Sequence, residues 1–191
     1  MSKLLNVSSS PHVRCGVSTK NLMYDVAIAM LPATIWGVMQ FGIYSLIVVV
    51  ATVLSCVLSE YLFETLMHKP VTISDGSALV TGMILGLNMP PAIPLWMPIL
   101  GGVFAIIVVK QLYGGLGQNW MNPALAARCF MLISFAQAMT KFTDPVTDAV
   151  ASATPLAAIK AGDTYDLAAM FIGKIPGTIG EVSVIALLIG A

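Results

Sequence analysis

The sequence has very little charge. Of its 191 residues only nine are Lys or Arg and nine are Asp or Glu, so charged residues make up 9% and the formal net charge is zero. A typical soluble domain has about 25% charged residues. Hydrophobic residues make up 58%, and a soluble fold of this size cannot cover so much apolar surface with polar groups. The composition excludes an ordinary soluble enzyme, a disordered tail and a basic nucleic-acid binder, and it predicts a protein whose main solvent is lipid.

The sequence also lacks metal-binding patterns. Its three cysteines, Cys15, Cys56 and Cys129, lie far apart and form no Cys-x-x-Cys or Cys/His spacing. We therefore expect no iron–sulfur cluster, structural zinc or other metal held by this chain alone. Cys56 and Cys129 are interpreted as small packing residues within membrane helices, while a site that Cys15 shares with a partner chain stays open.

Two apolar segments of membrane-spanning length follow a polar N-terminal segment, residues 1–21, which we predict to be cytoplasmic. Residues 22–40 are 19 residues long and would span about 28 Å as a helix. The second segment runs from residue 42 to about residue 62. Its whole length favours a helix over a strand, because every backbone group in lipid needs an internal partner. The two segments are expected to form a helical hairpin.

The later apolar segments are short or interrupted. Residues 75–89 and 95–109 have 15 residues each, whereas a full crossing needs about 20. Residues 113–119 (YGGLGQN) are unfavourable for a helix, and Pro123 begins a further apolar helix to about Ala138. Such segments predict broken helices around an internal site, because irregular backbone at membrane depth survives only where protein or a cavity covers it. The predicted fold class is an all-α polytopic membrane protein with a five-helix unit, residues 22–138.

A polar region and a further apolar run complete the chain. Residues 139–181 contain three lysines and five acidic residues, and we predict a water-facing loop of about forty residues, which is too long for a simple connection. Residues 182–191 begin a sixth membrane helix that stops after ten residues. The sequence is therefore expected to be the front portion of a longer polypeptide.

The basic residues predict the orientation of the chain in a multi-pass inner or plasma membrane protein. With a cytoplasmic N-terminus and five crossings, more basic residues fall inside than outside, as the positive-inside rule requires. The inside residues are Lys3, Arg14, Lys20, Lys69 and Lys110, and the outside residues are Lys141, Lys160 and Lys174. The loop of residues 139–181 is therefore predicted to be extracytoplasmic.

Ionisable residues in the apolar segments are the first candidates for function, because a charge is expensive to place in a membrane. Asp25 and Glu60 lie near predicted helix ends and are expected to reach the interface by snorkelling. Asp75 is expected to cap the third segment, with a cation pathway as the alternative. Arg128 lies within an apolar helix and needs an anion, for which a phosphate and a protein carboxylate are both candidates.

The glycine- and asparagine-containing segment before Pro123 has two possible uses. Its glycines either allow two helices to pack closely or keep the backbone bare so that a planar ligand can approach. Asn119 and Asn122 are three residues apart and share a face at a helix start. They either bind a heterocycle or cap the helix, and the residues alone favour the cap.

Several ordered motifs resemble the NqrB/RnfD family, the flavin-bearing membrane subunits of two ion-pumping redox complexes. The resemblance covers nearly the whole chain. Its motifs are SPH at residues 10–12, DGSALVTG at 75–82, LNMPP at 87–91, GGLGQNWMNPA at 114–124, SATPL at 152–156 and GE at 180–181. The resemblance implies the first repeat of a two-repeat, ten-helix fold similar in shape to urea channels.

The resemblance also implies a covalent flavin in the loop of residues 139–181. The family motif is similar to Ser-Gly-Ala-Thr, and its threonine hydroxyl binds the phosphate of flavin mononucleotide (FMN). Ser152, Ala153 and Thr154 match this motif with Ser in place of Gly, and Ala151 stands where Ser or Thr is usual. Thr154 is therefore the implied FMN anchor, and Asp148 and Ser152 are candidate contacts in the loop. A covalent bond would retain a flavin outside the cell.

A second, noncovalent flavin, riboflavin or FMN, is implied nearer the cytoplasmic side. The family holds it with an Asn-x-x-Asn stretch, which corresponds to Asn119 and Asn122. Gly115 and Gly117 are candidate close-approach positions beside it, and Arg128 is a candidate buried charge near a flavin site. No catalytic residues are predicted on this chain.

The early position of the motif at residues 10–12 favours the RnfD branch of the family over the NqrB branch. This implies an electron-relay subunit of a redox-driven translocase, a ferredoxin:NAD⁺ oxidoreductase that exports Na⁺ or H⁺. The implied partners are the lipid bilayer, an FMN-carrying extracytoplasmic subunit, iron–sulfur and NAD-binding subunits, and two further membrane subunits. The alternatives are an NqrB-type subunit of the Na⁺-pumping NADH:quinone oxidoreductase and a flavin-free solute channel or structural subunit, which the broken helices fit equally.

Overall fold

The computed structural model describes residues 16–143, 150–151, 159–160 and 167–191. This part of the chain is helical almost throughout, which confirms the predicted all-α membrane fold. Three helices are apolar and long enough to cross a membrane. They are Thr19–Phe41, Ile43–Leu66 and Trp96–Tyr113.

The elements follow one another with short connections. In chain order the α-helices are α1 (Thr19–Ala29), α2 (Leu31–Phe41), α3 (Ile43–Leu66), α4 (Ser77–Leu87), α5 (Trp96–Val103), α6 (Pro123–Ser134), α7 (Ala136–Met139), α8 (Leu167–Ile172) and α9 (Val184–Gly190). A 3₁₀ turn, Ile73–Asp75, precedes α4, and a π-helical segment, Phe104–Lys110, continues α5 into a second 3₁₀ turn, Gln111–Tyr113. Two strands of two residues each, β1 (Phe142–Thr143) and β2 (Val150–Ala151), pair antiparallel.

The predicted hairpin is formed by α1, α2 and α3. Ser18 caps α1, because its side chain accepts a hydrogen bond from the backbone N–H of Asn21. Gly42 separates α2 from α3 with a φ of +81°, a conformation that a residue with a Cβ rarely adopts. The third helix extends to Leu66, four residues beyond the predicted end, so that its final turn includes Glu64.

The short third segment is confirmed as α4, which has 11 residues and spans roughly 17 Å, about half of the hydrocarbon core. Its glycines allow it to pack directly on α3. A Cβ on Gly82 would lie 2.6 Å from the Cα of Val53, and a Cβ on Gly86 would lie 3.0 Å from the Cα of Val49. Small residues four apart are a common way for membrane helices to approach closely.

The next two predicted helices are interrupted. The segment predicted as residues 95–109 is α-helical only to Val103 and then π-helical. The helix predicted from Pro123 to about Ala138 ends at Ser134, because Phe135 leaves the helical region with φ −134° and ψ 47°. Broken helices are therefore present, and both interruptions lie within segments that the sequence predicts to be continuous.

The chain segment before α9 docks on the C-terminal end of α4. The backbone N–H of Ile179 donates to the carbonyl of Met89 over 3.1 Å, and that of Gly180 donates to the carbonyl of Leu87 over 2.8 Å. Ile179 is fully buried. The end of the predicted loop of residues 139–181 is thus part of the packed membrane unit. The predicted boundaries of the four regions and the urea-channel-like repeat stay predictions.

The main hydrophobic core lies among α3, α4, α5 and α6 and includes the docked segment. Its buried members are Val48, Val49, Leu85, Leu87, Met89, Ile93, Met97, Ala105, Ala124, Ala127, Met131, Met139 and Ile179. Large apolar side chains also cover the outside of α1, α2, α3 and α9. An apolar exterior on long apolar helices is expected where the solvent is lipid.

Candidate functional site

A cluster of polar side chains lies inside the apolar helices, where α3, α4 and the π-helical segment meet. The π-helical segment ends at Lys110, and such segments often occur at functional sites. Lys110 is 2% exposed and Glu60 of α3 is fully buried. The Lys110 Nζ lies 2.6 Å from Oε1 of Glu60, so the two residues form a buried ion pair. We call this set of residues the polar cluster and extend it below.

The ammonium of Lys110 connects Glu60 to the start of α4. Its Nζ also donates to the hydroxyl of Ser77 over 2.5 Å. Ser77 in turn donates its hydroxyl to Oδ1 of Asp75 over 2.5 Å, and the same oxygen accepts the backbone N–H of Ser77 over 2.8 Å. Asp75 thus accepts a free backbone N–H at the start of α4, as expected, although the N-cap position itself is Gly76. Asp75 is half-buried, so the cluster reaches from the protein interior to its surface.

The other side of the polar cluster joins Glu60 to Glu64. The side-chain amide of Gln111 donates to Oε1 of Glu60 over 2.9 Å and to Oε1 of Glu64 over 3.1 Å. Glu64 also accepts the hydroxyl of Thr72 over 2.5 Å and its backbone N–H over 2.9 Å. Both oxygens of Glu64 are therefore satisfied. By contrast, Oε2 of Glu60 is buried without a hydrogen-bond partner among the described residues.

One expectation about a charged residue is wrong at this cluster. Glu60 does not snorkel to the interface, because α3 continues beyond it and its side chain is fully buried. The side chain of Lys110, which is counted among the inside basic residues, lies in the buried ion pair with Glu60, and its cytoplasmic position stays a prediction. In the sequence, this pair is visible only as two residues of opposite charge, each within an apolar segment. Sequence reasoning misses the pair because the partners are 50 residues apart in the chain, and only tertiary packing brings them together.

The glycine-rich segment after Lys110 is a turn and not a helix–helix contact. Gly114, Gly115 and Gly117 have φ values of +116°, +101° and +84°, which explains why glycine stands there. A Cβ on Gly115 or Gly117 would meet no atom within 4 Å. The close packing considered for these two glycines is therefore absent. The backbone at Gly117 is exposed to a ligand, whereas Gly115 is buried.

The two asparagines have separate hydrogen-bonding roles. Asn122 caps α6, because its Oδ1 accepts from the backbone N–H groups of Ala124 over 3.0 Å and Leu125 over 3.4 Å. The side-chain N–H of Asn119 donates to the carbonyl of Met121 over 2.7 Å. The cap that the sequence favours for this pair is confirmed for Asn122. The Asn122 amide nitrogen is left for other partners, since the cap uses only the oxygen.

Two cavities adjoin these asparagines. A cavity of about 160 Å³ lies between the polar cluster and the turn, and its lining includes Ser77, Lys110, Asn119 and Asn122. A larger apolar cavity of about 540 Å³ lies on the other side and is lined by Phe104, Val108, Val109, Tyr113, Trp120, Met121, Asn122, Leu125, Ala126 and Cys129. Its size is within the range of small-ligand pockets, about 300–1,000 Å³. Asn122 therefore lines both the cavity beside the polar cluster and the aromatic one.

Arg128 pairs with a protein carboxylate, one of the two anions considered for it. Its Nη1 lies 3.1 Å from Oε1 of Glu181 and also donates to Oδ1 of Asn88. The Arg128 side chain is 30% exposed and that of Glu181 is 53% exposed. Arg128 thus ties α6 to the C-terminal end of α4 and to the segment that docks there. Its hydrogen-bond partners within the described part of the chain do not include the two asparagines of the turn.

The remaining predicted site residues lie outside the described residues. Thr154, Ser152, Ala153 and Asp148 belong to residues 144–149 and 152–158, and the covalent flavin site stays a prediction. Cys56 is buried as expected, whereas Cys129 is exposed and lines the 540 Å³ cavity. Among the described residues, no group of His, Cys, Asp and Glu could hold a metal ion.

Comparison with known proteins identifies relatives along nearly the whole chain. The profile of the NQR2, RnfD, RnfE family matches residues 6–191. The D component of the Na⁺-translocating ferredoxin:NAD⁺ oxidoreductase complex of Acetobacterium woodii is 47% identical over 192 residues, which cover 97% of this chain and 60% of the relative. The D component of the proton-translocating ferredoxin:NAD⁺ oxidoreductase complex of Clostridium ljungdahlii is 40% identical over 201 residues, with coverage of 98% and 61%.

A third relative matches a shorter part of the chain. The D component of the ion-translocating oxidoreductase complex of Shewanella denitrificans is 40% identical over 157 residues, which cover 81% of this chain and 45% of the relative. The chain thus spans about three fifths of the length of the first two relatives. The family profile, the matched length and the apolar helices agree with the resemblance found in the sequence motifs. The chain is a membrane protein that belongs to the NQR2, RnfD, RnfE family.

Proposed function

We propose that this chain is a membrane subunit of a ferredoxin:NAD⁺ oxidoreductase complex that couples electron transfer to the export of Na⁺ or H⁺. The observation that carries the proposal is the 47% identity over 97% of the chain to a relative named as a component of such a complex. The named ions of the first two relatives differ, Na⁺ in one and H⁺ in the other. The ion is therefore left open, and the partners are the other subunits of that complex in a bacterial plasma or inner membrane.

The role proposed within that complex is electron relay through FMN esterified to Thr154. When bound, a flavin exchanges electrons singly or in pairs, which suits transfer between one-electron centres and a two-electron carrier. Thr154 would hold the phosphate, and Ser152, Ala153 and Asp148 would shape the surrounding loop. The docking of residues 179 and 180 on α4 supports this role, because it fixes the end of that loop against the membrane helices.

A covalent flavin is tested directly on the denatured polypeptide. The full-length protein, produced in cells that assemble the holoenzyme, is run on a denaturing gel and viewed under ultraviolet light. The band should fluoresce, Thr154→Ala should abolish the signal, and Thr154→Ser should retain part of it. Thr147→Ala, in the same loop, is the matched control and should fluoresce like the parent. A dark parent band would favour the flavin-free channel or structural subunit, and a fluorescent Thr154→Ala band would place the ester on another residue.

A second, noncovalent flavin is proposed at the turn before α6. The aromatic cavity of about 540 Å³ supports this site, since it offers apolar walls together with the Asn122 amide. The exposed backbone at Gly117 supports it as well, whereas Gly115 is buried. Asn119 lines the adjoining cavity. Arg128 is not proposed as a contact of this flavin, because it pairs with Glu181.

The experiment for this second flavin must separate binding from helix capping. Asn119→Ala combined with Asn122→Ser keeps an oxygen at the cap position and removes both side-chain amides. The expected result is loss of acid-extractable flavin with the covalent fluorescence of the band unchanged. Asn88→Ser, a matched control at another helix end, should keep the extractable flavin. Retention of extractable flavin in the double variant would show that Asn119 and Asn122 have only a structural role.

A further inference from the structure

The polar cluster contains more negative than positive charge in an apolar environment. Glu60, Glu64 and Asp75 contribute three carboxylates, and Lys110 contributes one ammonium. Buried charges without partners are destabilising, and such groups usually become neutral instead. Glu64 has hydrogen-bond donors on both oxygens, and Asp75 accepts two hydrogen bonds and reaches the surface. The unbalanced position is Oε2 of Glu60, which is buried and has no partner among the described residues.

We propose that Glu60 is a proton-loading site inside the membrane unit and that it exchanges protons with the surface through Lys110, Ser77 and Asp75. The hydrogen bonds between these residues are continuous. Asp75 contacts Ser77, Ser77 contacts Lys110 at 2.5 Å, and Lys110 contacts Glu60 at 2.6 Å. The path runs from a half-buried carboxylate to a fully buried one.

The transfer balances without any other reactant. Lys110 passes a proton from Nζ to Glu60, and the resulting amine takes a proton from the Ser77 hydroxyl. Ser77 is restored by the Asp75 carboxyl, which has taken its proton from water. Asp75 ends as a carboxylate and Lys110 as an ammonium, so that one proton has moved from water to Glu60 and no electron has moved.

The surroundings favour a proton over a metal cation. The Lys110 ammonium already lies 2.6 Å from Oε1 of Glu60 and would repel a metal cation there. The cavity of about 160 Å³ that Ser77 and Lys110 line has room for about five waters, which would supply protons to the path. The charged or titratable groups that interact with Glu60 are Lys110, Glu64, Asp75 and the buried thiol of Cys56. Of these, Lys110 is the one cation, and it therefore sets whether Glu60 holds its own proton.

The first test uses infrared difference spectroscopy of the purified full-length protein in lipid, recorded between alkaline and acidic pH. A protonated carboxyl in an apolar site has a carbonyl stretch that is distinct from that of exposed carboxyls. The expected result is one such band that grows on acidification and is lost in Glu60→Gln. Glu64→Gln is the matched control, since Glu64 is also buried but fully hydrogen-bonded, and it should keep the band. Absence of the band from the parent, or its survival in Glu60→Gln, would overturn the proposal.

Glu60→Gln combined with Lys110→Met removes both charges of the pair. It therefore guards against a Glu60→Gln protein that fails to fold, and it should also lack the band. In Lys110→Met the competing cation is gone, so Glu60 should keep its proton and the band should persist over the whole pH range. A band that still titrates as in the parent would contradict the path through Lys110.

A comparison of NaCl with choline chloride at fixed pH distinguishes Na⁺ from a proton at Glu60. Loss of the band in NaCl alone would show that Na⁺ occupies the site and would overturn the assignment to a proton.

The use of this site in ion export rests on the proposed function, whereas its protonation does not. In liposomes that contain the whole complex, Glu60→Gln should abolish the proton uptake that accompanies ferredoxin-driven NAD⁺ reduction, measured with a trapped pH dye, whereas the matched Glu64→Gln complex should retain it. Unchanged proton uptake would overturn the role of Glu60 in export. A parent complex without NAD⁺ reduction would refute the proposed function and leave the infrared result intact.

Discussion

At the scale of single residues, the pair of Glu60 and Lys110 is the feature with the largest energetic consequence. Both side chains are almost completely removed from solvent, and their charged atoms are 2.6 Å apart. Removal of one member of a buried ion pair is more damaging than removal of both, because the remaining group is left without compensation. The strength of the pair is therefore visible only when single and double variants are compared.

The prediction for this pair is a strongly non-additive mutant cycle. Lys110→Met should lower the free energy of unfolding by about 3–5 kcal/mol, and Glu60→Gln combined with Lys110→Met should regain most of this loss. Thermal denaturation of the purified protein in detergent measures the effect. Lys69→Met, at an exposed lysine, should change stability by no more than about 0.5 kcal/mol. Equal losses in Lys110→Met and Lys69→Met would show that the pair contributes little.

The sequence predicts some residue roles and not others for a physical reason. Asp75 and Asn122 act on backbone groups two or three positions away, and such local contacts follow from residue type and position at a helix start. Glu60, Lys110 and Arg128 act on side chains far away in the chain. Their partners depend on helix packing, which the sequence does not specify residue by residue.

At the scale of elements, the contact between α3 and α4 depends on two glycines. The backbone of α3 occupies the space that a side chain on Gly82 would need. Lipid provides little hydrophobic driving force between helices, so close backbone packing supplies much of their association. A single added methyl group at this contact must push the helices apart.

The prediction at this contact is that Gly82→Ala lowers stability by about 1–3 kcal/mol, although alanine is the better helix former. Gly101→Ala on α5 is the matched control. A Cβ there would make an ordinary 3.4 Å contact with the flexible Met131 side chain, so this variant should be neutral or slightly stabilising. The midpoint of thermal unfolding in detergent measures both variants. A Gly82→Ala protein as stable as Gly101→Ala would show that α3 and α4 can separate without loss.

Most elements could be predicted from the pattern of apolar segments, but the internal breaks could not. The hairpin, the short α4 and the start of α6 at Pro123 follow from length, proline and capping residues. The π-helical segment and the break at Phe135 lie in predominantly apolar sequence without proline or glycine. No local residue signals them, because they are fixed by contacts with neighbouring helices.

At the scale of the whole molecule, the orientation in the membrane is the prediction that depends least on packing detail. The predicted orientation depends on the distribution of basic residues on the two sides of the membrane. Lys110 is left out of this count, because its side chain lies in a buried ion pair. Lys69, between α3 and α4, is exposed, and its cytoplasmic position stays a prediction. The excess of basic residues inside becomes smaller but keeps its direction.

The prediction for orientation is tested with single cysteines in a variant whose native cysteines are replaced by alanine. Thr147→Cys, in the predicted extracytoplasmic loop, should react with a membrane-impermeant maleimide in spheroplasts. Lys69→Cys should react only after the membrane is permeabilised. The reverse pattern would show that the chain is inserted with the opposite orientation.

The docking of residues 179 and 180 on the end of α4 has a consequence for how this family can vary. Both hydrogen bonds join main-chain atoms, so they do not depend on which side chains precede them. We therefore expect insertions and deletions further upstream to leave these two hydrogen bonds in place. The loop that precedes residue 179 is thus expected to vary in length and sequence among relatives, while its contact with the C-terminal end of α4 is retained.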